Sequence, residues 1–136
     1  MIMAADSEAV RLDLPWPPSV NGYWRTAPIR GRGGKTVIRT MISKQGRKYR
    51  RLVAFEVVSQ RAAKLGERRL AVDVVAYPPD RQRRDIDNIS KSLLDAMEHA
   101  GVYADDEQID RLVIERGEVS KPGSVAVTIR PMESTP

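Results

Sequence analysis

Three segments of this chain place apolar side chains at every second position, and this pattern constrains its fold more than any other feature. The segments cover residues 10–16, 70–76 and 125–129. Successive side chains of a β-strand point to opposite faces of its sheet, so each segment predicts a strand with one buried face. A further strand is predicted over residues 109–119. The 136 residues are enough for one domain with a real core.

Two amphipathic segments separate these strands and predict helices. Ser43 is a favourable N-cap for a first helix that extends to about residue 64. A second helix is predicted from Asp87 to Gly101, because its apolar residues form one stripe at helical spacing. Residues 25–36 are rich in arginine and glycine and predict a mobile basic loop, followed by a short strand over 36–42.

The order of these elements predicts an α+β fold, in which a mixed β-sheet is covered by two main helices. A single domain is predicted over residues 9–131. Residues 1–8 are interpreted as an N-terminal extension, and residues 132–136 as a flexible tail.

The charge of the chain is divided between two regions. Residues 25–84 carry 17 Lys and Arg against 4 Asp and Glu, whereas residues 85–118 carry 3 against 10. A nucleic-acid-binding module explains the basic region but not the acidic one, while metal chemistry on a phosphate uses both. The chain has no cysteine, no apolar run of about 20 residues and no signal-peptide pattern, which predicts a cytoplasmic protein without a membrane span.

The stretch DRQRRDIDNISK, residues 80–91, contains the first acidic group. Asp85 and Asp87 are two positions apart, so an extended backbone turns both carboxylates to one side. Lys91 lies one helical turn further and can reach the space above Asp87. Two interpretations are open at this point: a metal site, or a helix N-cap beside surface ion pairs.

The second acidic group is YADDEQID, residues 103–110, just before a predicted strand. It can approach the first group only if that strand pairs beside the strand over residues 72–77. In that case Asp85, Asp87 and Asp106 would offer the oxygen ligands that Mg²⁺ or Mn²⁺ prefers, beside the positive charge of Lys91. Asp95 and Glu98 are interpreted as charges on the helix surface.

Four stretches, in the same order, resemble the RusA family of Holliday junction resolvases. They are LPWPPSVNGYWR (14–25), SKQGRKYR (43–50), RRDIDNISKSLLDAM (83–97) and YADDEQI (103–109). The last two contain the family's D-x-D-N-x-x-K and D-D-x-Q motifs.

The resemblance implies a RusA-like fold and a small homodimeric, Mg²⁺-dependent endonuclease of phage or prophage origin. Such an enzyme nicks four-way DNA junctions. It also implies that the catalytic carboxylates fall on Asp85, Asp87 and Asp106, and the important lysine on Lys91. The roles of Asn88, Asp105 and Gln108 stay open.

Two basic groups are predicted to contact DNA. Arg81, Arg83 and Arg84 adjoin the candidate metal site, which favours phosphate contacts over simple neutralisation of nearby aspartates. The second group consists of Arg30, Arg32 and Lys35, for which a solubilising loop is the alternative. Tyr23 and Trp24 are placed in a loop, where they could stack on unpaired bases.

Two rival functions remain open on the sequence. A non-catalytic architectural DNA-binding protein would bind junctions without cutting them. A metal-dependent hydrolase of nucleotides or phosphate esters would need a nucleotide pocket, and the chain has no glycine-rich phosphate loop.

Overall fold

The structure is a computed structural model that describes residues 8–132. Residues 1–7 of the predicted extension and 133–136 of the predicted tail lie outside the described residues. The strands are β1 (Val10–Pro15), β2 (Trp24–Arg30), β3 (Thr36–Ile42), β4 (Leu70–Tyr77), β5 (Ile109–Arg116) and β6 (Ser124–Pro131). The helices are α1 (Val20–Tyr23), α2 (Lys44–Ser59) and α3 (Ser90–His99), with short 3₁₀ turns at Arg32–Gly34, Ile86–Ile89 and Asp106–Gln108.

Four of the strands form one mixed sheet in the order β1-β6-β4-β5. Strand β6 is antiparallel to both β1 and β4, whereas β5 is parallel to β4. The three alternating segments of the sequence therefore became β1, β4 and β6. Their alternate side chains are buried on one face, where Leu12 and Val74 both pair with Val127. Full burial of an aliphatic side chain contributes about 1.5–3 kcal/mol, so this face is the main source of stability.

Helices α2 and α3 pack against each other, and α2 also packs on β1. This confirms the predicted α+β fold with two main helices. Ser43 caps α2 as predicted: its Oγ accepts a hydrogen bond from Gly46 N at 2.9 Å and donates one to Gly22 O at 2.6 Å. A Cβ at Gly46 would lie 2.5 Å from Tyr23 O, so only glycine lets the first turn of α2 approach α1 this closely. The helix ends at Ser59, about five residues earlier than predicted.

The predicted basic loop over residues 25–36 is wrong, because most of these residues form a hairpin. Strands β2 and β3 pair with each other from Trp24↔Ile42 to Arg30↔Thr36 and make a separate two-stranded sheet, here called the ribbon. Much of the ribbon is exposed, including Val37 at 49% and Ile38 at 69%. Backbone hydrogen bonds hold it together rather than a buried apolar face.

The parallel strands β4 and β5 are joined by a crossover that contains α3. The predicted apolar stripe is confirmed, because Ile89, Leu93 and Met97 are buried. The helix begins at Ser90 rather than at Asp87, which lies inside the preceding 3₁₀ turn. Among the described residues, no helix is both long and apolar enough to cross a membrane.

Candidate active site and DNA-binding surface

The strand pairing that the sequence required for the second acidic segment to approach the first is present. Strand β5 lies beside β4, with Ile109 opposite Leu70. The 3₁₀ turn Asp106–Gln108 directly precedes β5 and lies close to the end of α3. Asp106 N donates a hydrogen bond to Glu98 Oε1 at 2.7 Å, which joins this turn to the last turn of α3.

Gln108 has a structural role that the D-D-x-Q motif alone did not disclose. Its side chain is buried, and its Oε1 accepts hydrogen bonds from Ala104 N and Asp105 N at 2.8 Å each. Its Nε2 donates to Gly66 O and Arg68 O, again at 2.8 Å. Asp105 caps the same turn, since its Oδ1 accepts from Glu107 N at 2.9 Å. The buried amide therefore anchors the acidic turn to the segment before β4.

This anchor brings together three carboxylates, here called the acidic cluster: Glu98, Asp105 and Asp106. Each offers an oxygen within 4.8 Å of the others. Partial burial and the neighbouring charge of Asp105 raise the pKa of Asp106, whereas the positive charge of Lys91 lowers it. A divalent cation would relieve the repulsion between these carboxylates, and oxygen donors suit Mg²⁺. The donor set thus fits the predicted ion, and the interpretation of Glu98 as a plain surface charge is not supported.

Asp85 and Asp87 are not part of the acidic cluster. Both are exposed, and within the part of the chain that the structure describes neither carboxylate makes a hydrogen bond or an ion pair. The N-cap interpretation therefore has no support, because the side chain of Asp85 does not cap the 3₁₀ turn and Asp87 lies within it. Their carboxylates are free to take up a ligand.

Lys91 lies on α3 between the two acidic groups. It is exposed in the first turn of the helix, four residues after Asp87 and seven before Glu98. Residues spaced by three, four and seven share one helix face, so Lys91 lies on the side of α3 that carries Glu98. Its effect on the pKa of Asp106 agrees with this placement.

The three arginines before Asp85 differ in their contacts. Arg84 Nη1 pairs with Asp80 Oδ1 at 2.6 Å, and its guanidinium lies 5.9 Å from the centre of the Trp16 ring. The charged group of Arg84 therefore already has partners within the protein. Arg81 and Arg83 are exposed and make no hydrogen bond or ion pair within residues 8–132. Arg83 also lines an open groove of about 370 Å³ together with Asp85 and Asn88.

The second basic group lies at the far end of the ribbon. Arg30 ends β2, Arg32 lies in the 3₁₀ turn, and Lys35 precedes β3. All three side chains are exposed, and none is paired with another described residue. They are therefore available to an anionic partner.

A half-buried polar network connects the base of the ribbon to α3. The Tyr23 hydroxyl donates to Asp95 Oδ2, and Arg50 Nη2 lies 2.8 Å from the same oxygen. Burial, and then the hydrogen bond to Asp95, raise the pKa of Tyr23. Two predictions are wrong here: Tyr23 is fully buried rather than in a loop, and Asp95 is an internal partner rather than a free surface charge.

Comparison with known proteins identifies the family of this chain. The family model described as endodeoxyribonuclease RusA matches residues 15–130. The crossover junction endodeoxyribonuclease RusA of Enterobacteria phage HK97 is 40% identical over 121 residues, which cover 89% of this chain and 93% of that protein. The proteins of the same name from Escherichia coli K12 and Enterobacteria phage 82 are 34% and 35% identical over 122 residues, with the same coverage. The chain therefore belongs to the RusA endodeoxyribonuclease family.

Proposed function

We propose that this protein is a Mg²⁺-dependent endodeoxyribonuclease that resolves four-way (Holliday) DNA junctions in recombination and repair. The observation that carries the proposal is the placement of exposed carboxylates before and after Lys91, near Arg81 and Arg83, which are unpaired within the described residues. Relatives that match most of the chain are named crossover junction endodeoxyribonucleases, and that name gives the substrate of the proposed reaction.

Asp106 is the proposed central ligand of the ion, with Asp85 and Asp87 as the further ligands that the family motifs indicate. Glu98 and Asp105 adjoin Asp106 closely enough to share the same ion. When bound, Mg²⁺ (or Mn²⁺) lowers the pKa of water and neutralises charge on the phosphate under attack. All of these side chains are acidic, so the positive charge that binds the phosphate has to come from other residues.

The basic side chains supply the phosphate contacts. Lys91 is the proposed donor to a non-bridging oxygen of the scissile phosphate, where its positive charge would stabilise the charge that develops. Arg81 and Arg83, which have no partner among residues 8–132, bind neighbouring phosphates and hold the strand in place. Arg84 contributes less to DNA binding, because its ion pair with Asp80 and its contact with Trp16 keep it within the protein.

Resolution of a four-way junction requires one nick in each of two strands. The described part of the chain contains one candidate site, so we propose that two copies act together as a homodimer. Two-fold symmetry would relate the two sites and produce paired symmetric nicks.

The decisive experiment incubates the purified protein with a synthetic mobile four-way junction and with a linear duplex of the same sequence. We expect cleavage of the junction only, and only when Mg²⁺ or Mn²⁺ is added. Equal cleavage of both substrates, or cleavage of neither, would contradict the proposal. Tight junction binding without any metal-dependent cutting would instead favour the architectural DNA-binding protein.

The double variant Arg81→Ala/Arg83→Ala tests the phosphate contacts. Each lost contact should lower the slope of log affinity against log salt by about 1, so the double variant should lose about 2. Junction affinity is measured by fluorescence anisotropy at several salt concentrations. Arg11→Ala is the control, because Arg11 is an exposed residue of β1 and the change removes one positive charge without touching the site. A slope equal to that of Arg11→Ala would show that Arg81 and Arg83 do not contact phosphates.

A further inference from the structure

An open groove of about 570 Å³ lies between the base of the ribbon and the beginning of α3. We call it the ribbon groove; the residues that matter here are Asn21, Trp24, Arg25, Thr26, Thr40 and Lys91. Its volume is in the range of about 300–1,000 Å³ that is typical of small-molecule pockets. Because Lys91 forms part of its wall, anything bound in the groove would adjoin the proposed scissile phosphate.

Trp24 provides an aromatic surface whose position is fixed. The Tyr23 ring packs edge-on against it, with centroids 5.0 Å apart and an interplanar angle of 81°, and the Arg50 guanidinium lies 5.9 Å from the indole. Tyr23 and Arg50 are in turn held by Asp95 of α3. The indole therefore keeps one orientation relative to Lys91. Its Nε1–H is buried and has no acceptor among the described residues.

The polar side chains around this surface suit the edge of a nucleobase. Asn21 is exposed and offers an amide that both donates and accepts. Thr26 and Thr40 are directly opposite each other in the ribbon, so their hydroxyls occur side by side at the groove. Arg25 adds a positive charge that suits an adjacent phosphate.

We propose that the ribbon groove binds one unstacked nucleobase of the junction, next to the phosphate that is cut. This proposal rests on the proposed function and adds a specificity subsite to it. Base stacking on Trp24 supplies affinity, while Asn21 and Thr26 distinguish one base edge from another. A base inside a continuous duplex already has both faces covered, whereas a base at the branch point can leave the stack. The groove therefore favours cutting at the branch point and at particular sequences.

The first test is a photocrosslink that does not depend on cleavage. A single 5-iodouracil is placed either at the branch point of a fixed junction or about ten base pairs into one arm. The complex with the full chain is irradiated with Ca²⁺ in place of Mg²⁺. We expect the peptide that contains Trp24 to be crosslinked about tenfold more from the branch point, since aromatic stacking on one base favours binding by roughly that factor. Equal yields from both positions, or crosslinks confined to other peptides, would overturn the proposal.

The second test measures sequence preference in cleavage. Asn21→Ala and Thr26→Val should reduce the rate difference between the best and the worst cleavage sites of a mobile junction by about tenfold, because base-edge contacts are lost. Thr36→Val is the matched control, since it makes the same change in the ribbon away from the groove. An unchanged preference in both groove variants would contradict the subsite. If the wild-type protein cuts no junction at all, the proposed function fails, and the crosslink alone still decides whether the groove binds a base.

Discussion

Replacement of Asp106 by Asn should lower the rate of junction cleavage by about 10²–10³-fold, while junction affinity stays within about threefold. The reason is that Asp106 is the carboxylate around which the acidic cluster is built, and Asn keeps its shape but removes its charge. The proposed ion would then be held by fewer negative ligands, whereas the arginines that contact phosphates are unchanged. Single-turnover cleavage of a labelled junction and anisotropy binding measure the two quantities separately.

Glu107→Gln is a matched control for this variant. Glu107 is the next residue in the same turn, but its carboxylate is paired with Arg69 at 3.1 Å and is not in the acidic cluster. Exposed ion pairs of this kind contribute only about 0–1 kcal/mol to stability, so cleavage should stay close to that of the wild type. Wild-type cleavage by Asp106→Asn would show that Asp106 does not hold the metal.

Asp87→Asn in the same assay decides between two ligand sets. We expect the same loss as for Asp106→Asn if Asp85, Asp87 and Asp106 share an ion, as the family motifs imply. Normal cleavage by Asp87→Asn, together with loss in Asp106→Asn, would restrict the metal site to the acidic cluster. The structure makes this comparison informative, because Asp85 and Asp87 are exposed, lie outside that cluster and have no side-chain partner within residues 8–132.

The sequence predicted those parts of the fold that depend on a regular apolar pattern. Strands β1, β4 and β6 each bury alternate side chains on one face, and such burial leaves a period of two in the sequence. The stripe of Ile89, Leu93 and Met97 similarly predicted α3. The pairing of β5 beside β4 was stated as a requirement of the site and is present, although the sequence did not predict that the two strands are parallel.

The ribbon was predicted only in part: the strand predicted over residues 36–42 is β3, but β2 was missed because the ribbon strands bury no continuous face. Its pairing depends on backbone hydrogen bonds, which leave no period in the side chains, and its exposed Val37 and Ile38 resemble no core pattern. The burial of Tyr23 was missed for a related reason. Its partners, Arg50 and Asp95, are 27 and 72 residues away in the sequence, so local composition contains no sign of the network.

The residues around the acidic cluster show which part of the site could be predicted from the sequence. Asp87, Lys91, Asp95 and Glu98 are spaced by four, four and three residues, so one face of the crossover helix was already identifiable as charged. What the sequence lacked was the position of the turn that follows the helix. That position depends on Gln108, whose partners Gly66 and Arg68 are about 40 residues away.

Gln108→Leu is therefore expected to lower the stability of the protein more than any other substitution proposed above. The substitution keeps the approximate volume of the side chain but removes all four hydrogen bonds of the buried amide. Ala104 N and Gly66 O keep only their direct hydrogen bond of 3.2 Å to each other. We expect the free energy of unfolding to fall by about 2–4 kcal/mol, which corresponds to a decrease in Tm of about 10 °C. Thermal and urea unfolding followed by circular dichroism measure both quantities.

Gln45→Leu is the control for this change, because Gln45 is an exposed residue in the first turn of α2. A surface substitution of this kind should alter stability by no more than about 0.5 kcal/mol. Equal stabilities for the two variants would show that the Gln108 hydrogen bonds do not hold the acidic turn in place. If they do hold it, Gln108→Leu should also slow junction cleavage at temperatures where the protein is still folded. The turn that carries Asp106 would then be held to the segment before β4 by fewer hydrogen bonds and would move before the sheet itself unfolds.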